Sequence, residues 1–306
     1  MTRGFTDTVG KVPAPGLVLG GVCGIQFGAA FSPQLYPQVG AAGVVFLRLL
    51  IAGIVLCVVW RPKLRALRAK TAWMTVLAAG ALLAGHHIAF YEAVSHIPLG
   101  AVATIEFLGP FTIALAGSRR TFDLVPACLA ASGVLLLGGG GLPLDLVGLT
   151  LAAVAACCWA GYILVSSRMA QSLSGGQGLA LAMMLAAVLS SPYGITHAGR
   201  ALLHPHVLWV AAVVAITASV LPYSCNLEAL RRIPPRVFGV LTSLEPAAGA
   251  LFGLLILGQR LAWPQWLGIV TVGLASVAAT LLGNRERGTS PVRAGTRPAV
   301  LSADEG

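Results

Sequence analysis

One stretch of the chain occurs twice. Residues 92–117 read EAVSHIPLGAVATIEFLGPFTIALAG, and residues 228–253 read EALRRIPPRVFGVLTSLEPAAGALFG. Aligned at an offset of 136 residues, the two copies share nine of 26 positions, among them the first Glu, an Ile-Pro pair and a second Pro. Glu and Pro matches at one fixed offset are uncommon in a chain rich in Ala, Leu and Gly. The sequence therefore predicts an internal repeat.

The composition is that of a membrane protein. Of the 306 residues, 57% are hydrophobic and 10% are charged, whereas soluble domains carry roughly 25% charged residues. Apolar runs of helical length recur along the chain, and we expect helices because backbone groups in lipid must bond internally. The ten predicted spans are Pro15–Pro33, Val39–Trp60, Thr71–Val94, Gly100–Gly117, Phe122–Gly139, Leu146–Ser166, Gly178–Thr196, Val207–Leu230, Val237–Leu257 and Trp266–Leu282.

The repeat divides these spans into two halves of five. Residues 15–139 form the first half and residues 146–282 the second, between an N-terminal segment, 1–14, and a polar tail, 283–306, that we expect to be disordered. Because five is odd, the second half enters the membrane from the opposite side. The predicted fold is an all-α integral membrane protein with ten transmembrane helices in two inverted-topology five-helix repeats, as in many secondary transporters.

The basic residues indicate the topology. Of the 20 Lys and Arg residues, 17 lie at the two termini and in every second loop, Arg200 and Arg260 lie on the other side, and Arg48 lies inside a span. The positive-inside rule therefore predicts both termini in the cytoplasm. The net charge of +10 follows this topology and forms no basic face on a soluble domain, so we expect no nucleic-acid partner.

Charged side chains inside the spans are the first candidates for transport, because each costs about 2.5–3.5 kcal/mol or more in a bilayer. Glu106 and Glu245 lie deep in their predicted helices, where a carboxyl could carry a proton or pair with the ammonium group of an amino acid. Alternatively, either could be a structural partner of Arg48 or of a helix N-terminus. Arg48 could hold a substrate carboxylate, but we favour a lock between its helix and a Glu.

Two adjacent histidines offer a proton relay. His86 and His87 are neighbours, so we expect only one of them to face a cavity well. His87 aligns with Tyr223 at the repeat offset, which favours His87 and Tyr223 as the cavity-facing pair. The alternative for His87 is a neutral imidazole satisfied by a backbone carbonyl.

Aromatic and polar residues add further binding candidates. Trp159 and Tyr162 share one helix face at i and i+3, either as a cavity wall or in core or lipid packing. Asn226 is a polar candidate in the same span as Tyr223.

Four repeat-related residues are candidates for gating. Pro110 and Pro246 interrupt the hydrogen-bond ladder at equivalent positions, where they could free carbonyls near mid-membrane or form tolerated kinks. Glu92 and Glu228 lie near opposite membrane faces and are expected to act as gates or end anchors.

Motifs for other functions are missing from the sequence. The six Cys residues lie in apolar runs without metal-ligand spacing, so we expect no metal site and no cofactor. GxxxxGK[ST] and HExxH do not occur, which argues against ATP hydrolysis and against an intramembrane metalloprotease. A scaffold would gain nothing from charged residues in mid-membrane.

Six segments of the chain are distinctive: RIPPRVFGVLTSLEPAAGA at Arg232–Ala250, LPYS at Leu221–Ser224, EFLGP at Glu106–Pro110, SRRTFD at Ser118–Asp123, CCWAGYIL at Cys157–Leu164 and FLRLLIAG at Phe46–Gly53. They resemble the EamA branch of the drug/metabolite transporter superfamily, and within it the bacterial threonine/homoserine exporters. The resemblance implies a ten-helix exporter of the bacterial inner membrane with a central cavity lined by both halves. Gln259 departs from the pattern, since many EamA domains carry Glu there.

We therefore expect a secondary active exporter of small amino acids, or of related metabolites, that works by alternating access. The resemblance implies export driven by proton exchange. The expected partners are a small-molecule substrate, protons and the lipid bilayer. An exporter of drugs or aromatic metabolites with the same fold is the alternative, and an intramembrane enzyme is a distant one.

Overall fold

The computed structural model describes residues 12–62, 70–116, 128–129, 132–133, 136, 145–172, 176–233, 241–242 and 244–285. Regular structure in these residues is helical throughout, without strands. The helices are α1 (Ala14–Phe31), α2 (Tyr36–Trp60), α3 (Lys70–His96), α4 (Leu99–Ala116), α5 (Leu146–Ser172), α6 (Gln177–Ala198), α7 (Pro205–Ala215), α8 (Leu221–Arg232), α9 (Glu245–Leu257) and α10 (Trp263–Arg285). Most of the predicted span Phe122–Gly139 and the tail after Arg285 lie outside the described residues.

Five helical stretches in the described part of the chain are long and apolar enough to cross a membrane. They are Ala14–Trp60, Thr71–His96, Leu146–Ser166, Gln177–Leu203 and Pro205–Asn226. The first comprises 47 residues, which as a helix would measure about 70 Å against a hydrocarbon core of about 30 Å. A 3-10 turn at Ser32–Leu35 and left-handed Gly40 interrupt it. This all-helical, apolar architecture agrees with the predicted membrane class, whereas ten spans and an inverted repeat stay predictions.

The helices pack in pairs that correspond when the two halves are exchanged. α2 packs along α6 and α4 along α9, and each pair joins helices related by the 136-residue offset. α3 packs along α5. The same offset relates α3 to α7 and α8, and α1 to α5, and accordingly α7 and α8 pack along α1. Packing of this kind is expected when two related halves face one another across a common centre.

The directions of the helices show which helix ends lie at the same face of the molecule. α3 and α6 run parallel, since Gly80 lies against Leu185 and Glu92 accepts a hydrogen bond from Tyr193 further along both helices. Their C-terminal ends therefore lie at the same face. α7 starts at that face after a short 3-10 turn and continues through α8 for on the order of 40 Å. The C-terminal ends of α3 and α8 consequently lie at opposite faces.

A π-helical turn at Ile216–Val220 joins α7 to α8. α1 approaches this turn closely through two glycines: a Cβ atom at Gly24 would lie 2.6 Å from the Thr217 carbonyl oxygen, and one at Gly28 would lie 2.4 Å from the Ala218 Cβ. Larger side chains at either glycine would push α1 away from the turn. π-Helical turns occur frequently at functional sites, and this one adjoins the cavity described below.

Candidate functional site

A cavity lies among helices from both halves of the chain. Its empty space, counted together with its opening, is about 420 Å³. The lining combines one guanidinium, two carboxyls, two imidazoles and an aromatic wall. The lining residues are Ile25, Ala29, Arg48, His86, His87, Phe90, Tyr91, Glu106, Trp159, Tyr223 and Glu245. Six residues predicted from the sequence are brought together here: Arg48, His87, Glu106, Trp159, Tyr223 and Glu245.

Arg48 is buried and holds three elements together. Its Nε donates to Ser219 Oγ at 2.8 Å and its Nη2 to the Ala218 carbonyl oxygen at 2.7 Å, both in the π-helical turn. Its Nη1 donates to the Tyr91 hydroxyl of α3. Arg48 thus ties α2 to α3 and to the π-helical turn. The expected Glu partner is not found, because among the described residues no carboxylate pairs with Arg48. Three of its five N–H groups are used in these bonds.

Glu106 and His86 form an acid–base pair in the cavity. Glu106 Oε1 lies 3.3 Å from His86 Nε2, and His86 Nδ1 lies 3.4 Å from the Ala155 carbonyl oxygen. A carbonyl oxygen can only accept, so Nδ1 carries a hydrogen. In neutral His86, Nε2 is then an acceptor, and a hydrogen bond between Nε2 and Glu106 requires one additional proton on the carboxyl or on the imidazole. The geometry lets this one proton be shared.

His87 is buried beside His86 with a different partner. Its Nδ1 lies 2.8 Å from the Leu83 carbonyl oxygen, one helical turn earlier. The two imidazole rings stand at 87° to one another with centroids 4.8 Å apart. Because the two rings diverge in this way, both line the cavity, which corrects the expectation that only one would do so.

Aromatic rings form one wall. Trp159 stacks on Tyr162 with centroids 5.3 Å apart, and its ring lies 5.1 Å from that of His86. Tyr223 meets Trp159 edge to face at 6.3 Å. Trp159 and Tyr223 line the cavity, whereas buried Tyr162 supports them and is not itself a lining residue.

Glu245 reaches the cavity from the start of α9. The helix begins at Glu245, with Pro246 in its first turn. A missing N–H costs little there, and a carboxylate at a helix N-terminus is favoured by the helix dipole. Residues 241–242 are also helical and Leu244 lies in a turn, so α9 starts one residue before Pro246, and the role of Pro246 as a helix break stays a prediction. Pro110 does lie within a helix, α4, but its side chain is outside the described set.

Three predicted residues lie away from the cavity. Asn226 faces α1, and its Oδ1 would lie 2.8 Å from the Cβ atom of any larger residue that replaced Gly21. Glu92 accepts a hydrogen bond from the Tyr193 hydroxyl at 2.9 Å, which ties α3 to α6. Glu228 forms an ion pair at 2.5 Å with Arg232 one turn later in α8. The roles of Glu92 and Glu228 as gates stay predictions.

Polar contacts join the C-terminal ends of α3 and α8 to the segments that precede α5 and α1. At the end of α3, His96 Nδ1 lies 2.5 Å from Asp145 Oδ2, just before α5. The Val147 N–H, together with His96, holds the pKa of Asp145 below its ordinary value. At the end of α8, Arg232 donates to the Val12 carbonyl oxygen at 3.1 Å, just before α1. The repeat offset aligns His96 with Arg232, so the two contacts are equivalent.

Sequence reasoning missed His86, Phe90, Tyr91, Ile25 and Ala29 as lining residues. Three of them carried a signal, because His86 and Phe90, and likewise His87 and Tyr91, are four residues apart on one helix, where side chains share a face. That spacing would have identified a polar and aromatic stripe on α3. Ile25 and Ala29 carry no signal that separates them from ordinary apolar residues.

Comparisons with known proteins place the chain in a family. Residues 146–281 match the EamA-like transporter family. The chain is 38% identical to the threonine/homoserine exporter RhtA of Salmonella typhimurium (strain LT2) over 266 residues, which cover 86% of this chain and 89% of that protein. It is 38% identical to RhtA of Escherichia coli (strain K12) over 274 residues, with coverages of 88% and 92%. The chain belongs to the EamA-like transporter family.

The family assignment confirms the resemblance drawn from the sequence. A solved crystal structure with 21% identity covers 88% of this chain and 98% of its own, with a TM-score of 0.59, and supports the fold alone. The chain is accordingly a multi-pass membrane protein of a transporter family. Within the described residues, no group of three His, Cys, Asp or Glu side chains is placed to hold a metal ion.

Proposed function

We propose that this EamA-family protein is a secondary exporter of small amino acids of the threonine and homoserine type, which exchanges its substrate for protons across a bacterial inner membrane. The cavity carries the proposal, since it combines a buried guanidinium with two carboxyls among apolar helices. Charged side chains inside a membrane protein usually face a substrate or ion pathway. The printed names of the relatives in Salmonella and Escherichia agree with this substrate class.

The charges of the cavity complement those of a zwitterion. Arg48 keeps two N–H groups beyond the three bonded to protein, and in our proposal these receive the substrate carboxylate. Glu245 forms no hydrogen bond within the described residues and stands ready for the ammonium group. Arg48 thus holds its own helix in place and also presents a fixed positive charge to the substrate.

The Glu106–His86 pair is our candidate for proton coupling. A substrate ammonium group in the cavity favours an ionised Glu106, and departure of the substrate favours return of the proton. Coupling requires that bound substrate and bound proton disfavour one another, and the 3.3 Å contact gives the proton two alternative positions. His87 has its own carbonyl partner and is not needed for this step.

The contacts at the two ends support alternating access. His96 with Asp145, and Arg232 with Val12, lie at opposite faces on equivalent helices, each joining the third segment of one half to the first segment of the other. In our proposal the first contact parts when the periplasmic mouth opens and the second parts when the cytoplasmic mouth opens. The excess of basic residues on one side supports cytoplasmic termini.

Counterflow in proteoliposomes tests the substrate class without any pH gradient. Vesicles loaded with unlabelled threonine should accumulate labelled threonine and labelled homoserine transiently, and Glu245→Gln should lose this uptake. Thr150→Ala is the matched control, because the exposed Thr150 hydroxyl bonds only within its own helix.

A second substrate class competes with the first in the same vesicles. The aromatic wall of Trp159 and Tyr223 favours aromatic metabolites as the alternative. Counterflow of tryptophan or an aromatic cation without counterflow of threonine would therefore overturn the proposal in favour of that class.

A further inference from the structure

We propose that His87 recognises the side-chain hydroxyl of the substrate, so that the transporter selects hydroxylated small amino acids over apolar ones of the same shape. The inference rests on the exporter function proposed above and assigns it a specificity residue. Threonine and homoserine share little beyond the amino-acid group and a hydroxyl. A polar partner for that hydroxyl, besides the groups that hold the ammonium and the carboxylate, would account for their common recognition.

His87 presents a free acceptor in the cavity. Its Nδ1 lies 2.8 Å from the Leu83 carbonyl oxygen, which can only accept, so the hydrogen of neutral His87 is on Nδ1. Nε2 then carries a lone pair. Nε2 forms no hydrogen bond within the described residues, although His87 is only 1% exposed and lines the cavity. A hydroxyl donor of the substrate would satisfy it.

Apart from the Tyr223 hydroxyl and the Trp159 indole N–H, the other polar groups of the cavity are committed or carry charge. The Tyr91 hydroxyl and three N–H groups of Arg48 are bonded to one another or to the π-helical turn. His86 Nε2 faces Glu106. The carboxyls and the remaining N–H groups of Arg48 are matched to the ammonium and carboxylate groups of the substrate. His87 Nε2 is therefore a neutral acceptor left for the side chain.

The consequence is a selectivity against substrates that lack the hydroxyl. Valine has the shape of threonine with a methyl group in place of the hydroxyl, and norvaline stands in the same relation to homoserine. With valine bound, His87 Nε2 would be buried without a partner, a cost that corresponds to about 10-fold in affinity or more. A cavity that reads shape alone would take both members of each pair equally.

Internal competition in counterflow measures this selectivity directly. Proteoliposomes with the full-length chain receive labelled threonine and labelled valine together, and the ratio of their uptake does not depend on how much protein is active. We expect wild type to favour threonine by about 10-fold or more. His87→Leu should bring the ratio close to one while valine is still carried, and His87→Gln, which retains an acceptor oxygen, should restore part of the preference.

Each outcome decides a separate point. Equal uptake of threonine and valine by wild type, or an unchanged ratio in His87→Leu, would overturn the role of His87 while leaving amino-acid export in place. Uptake of neither substrate by wild type, in vesicles that carry another metabolite, would overturn the proposed function itself. Thr150→Ala should match the wild-type ratio, and because wild type alone can refute the selectivity, the test does not depend on folding of the variants.

Discussion

Replacing Arg48 with Lys separates the two roles of this side chain. Lys keeps the positive charge but offers its donors from one nitrogen, so it can reach one of the three acceptors that Arg48 now holds, in Tyr91, Ala218 and Ser219. The two acceptors left behind lie in a buried region between α2, α3 and the π-helical turn. We therefore expect Arg48→Lys to destabilise the fold even without substrate.

The expected loss follows from the number of broken bonds. A buried polar group left without its partner costs about 1–3 kcal/mol, so two such groups cost about 2–6 kcal/mol. Since one kcal/mol shifts the melting temperature by about 2–4 °C in a chain of 150–250 residues, the shift should be on the order of 10 °C. Ser219→Ala removes a single acceptor and should cost about 1–3 kcal/mol.

Thermal unfolding of the detergent-solubilised variants measures this loss, and counterflow of threonine measures transport by the same samples. We expect the melting temperature to fall in the order wild type, Ser219→Ala, Arg48→Lys. A melting temperature of Arg48→Lys equal to that of wild type, together with lost transport, would refute the structural lock and leave Arg48 as a ligand only.

Three further variants test other contacts. Glu106→Gln should abolish proton-coupled efflux without altering the size-exclusion profile, and normal coupling by this variant would exclude Glu106 from the proton path. Because the Val147 N–H and then His96 lower the pKa of Asp145, this contact adds stability above the ordinary Asp pKa of about 3.9 and loses it as pH falls through the lowered value. Melting curves should therefore show a smaller loss of stability on acidification for Asp145→Asn than for wild type, and equal losses would remove this role. Gly28→Val places a Cβ atom 2.4 Å from that of Ala218 and should lower the free energy of unfolding by about 1–3 kcal/mol through overpacking. An unchanged melting temperature would show that α1 can move away from the π-helical turn freely.

Much of the site could be predicted from the sequence because burial of charge in lipid is expensive. Glu106, Glu245 and Arg48 stood out as ionisable residues in apolar spans, and all three line the cavity. The partner of Arg48 could not be predicted, since it consists of a backbone carbonyl and two hydroxyls brought together by tertiary packing.

The repeat offset was informative where it aligned polar residues. It selected His87 and Tyr223, both of which line the cavity, and it relates His96 to Arg232 at the two ends. It gave no indication of His86, because the equivalent position in the second half is Pro222. The start of α9 at Glu245 lies one residue before Pro246, the proline that the sequence marks as an interruption of the hydrogen-bond ladder.

Uptake of labelled threonine into inside-out vesicles, with the lumen one pH unit more acidic than the outside, tests the central claim most directly. For exchange of one threonine against one proton, a difference of one pH unit corresponds to 1.36 kcal/mol, or about 10-fold accumulation. The account predicts such accumulation, its competition by homoserine and its collapse when a protonophore is added. Threonine uptake that stops at equal concentrations, in vesicles shown to hold their gradient, would contradict proton-coupled export.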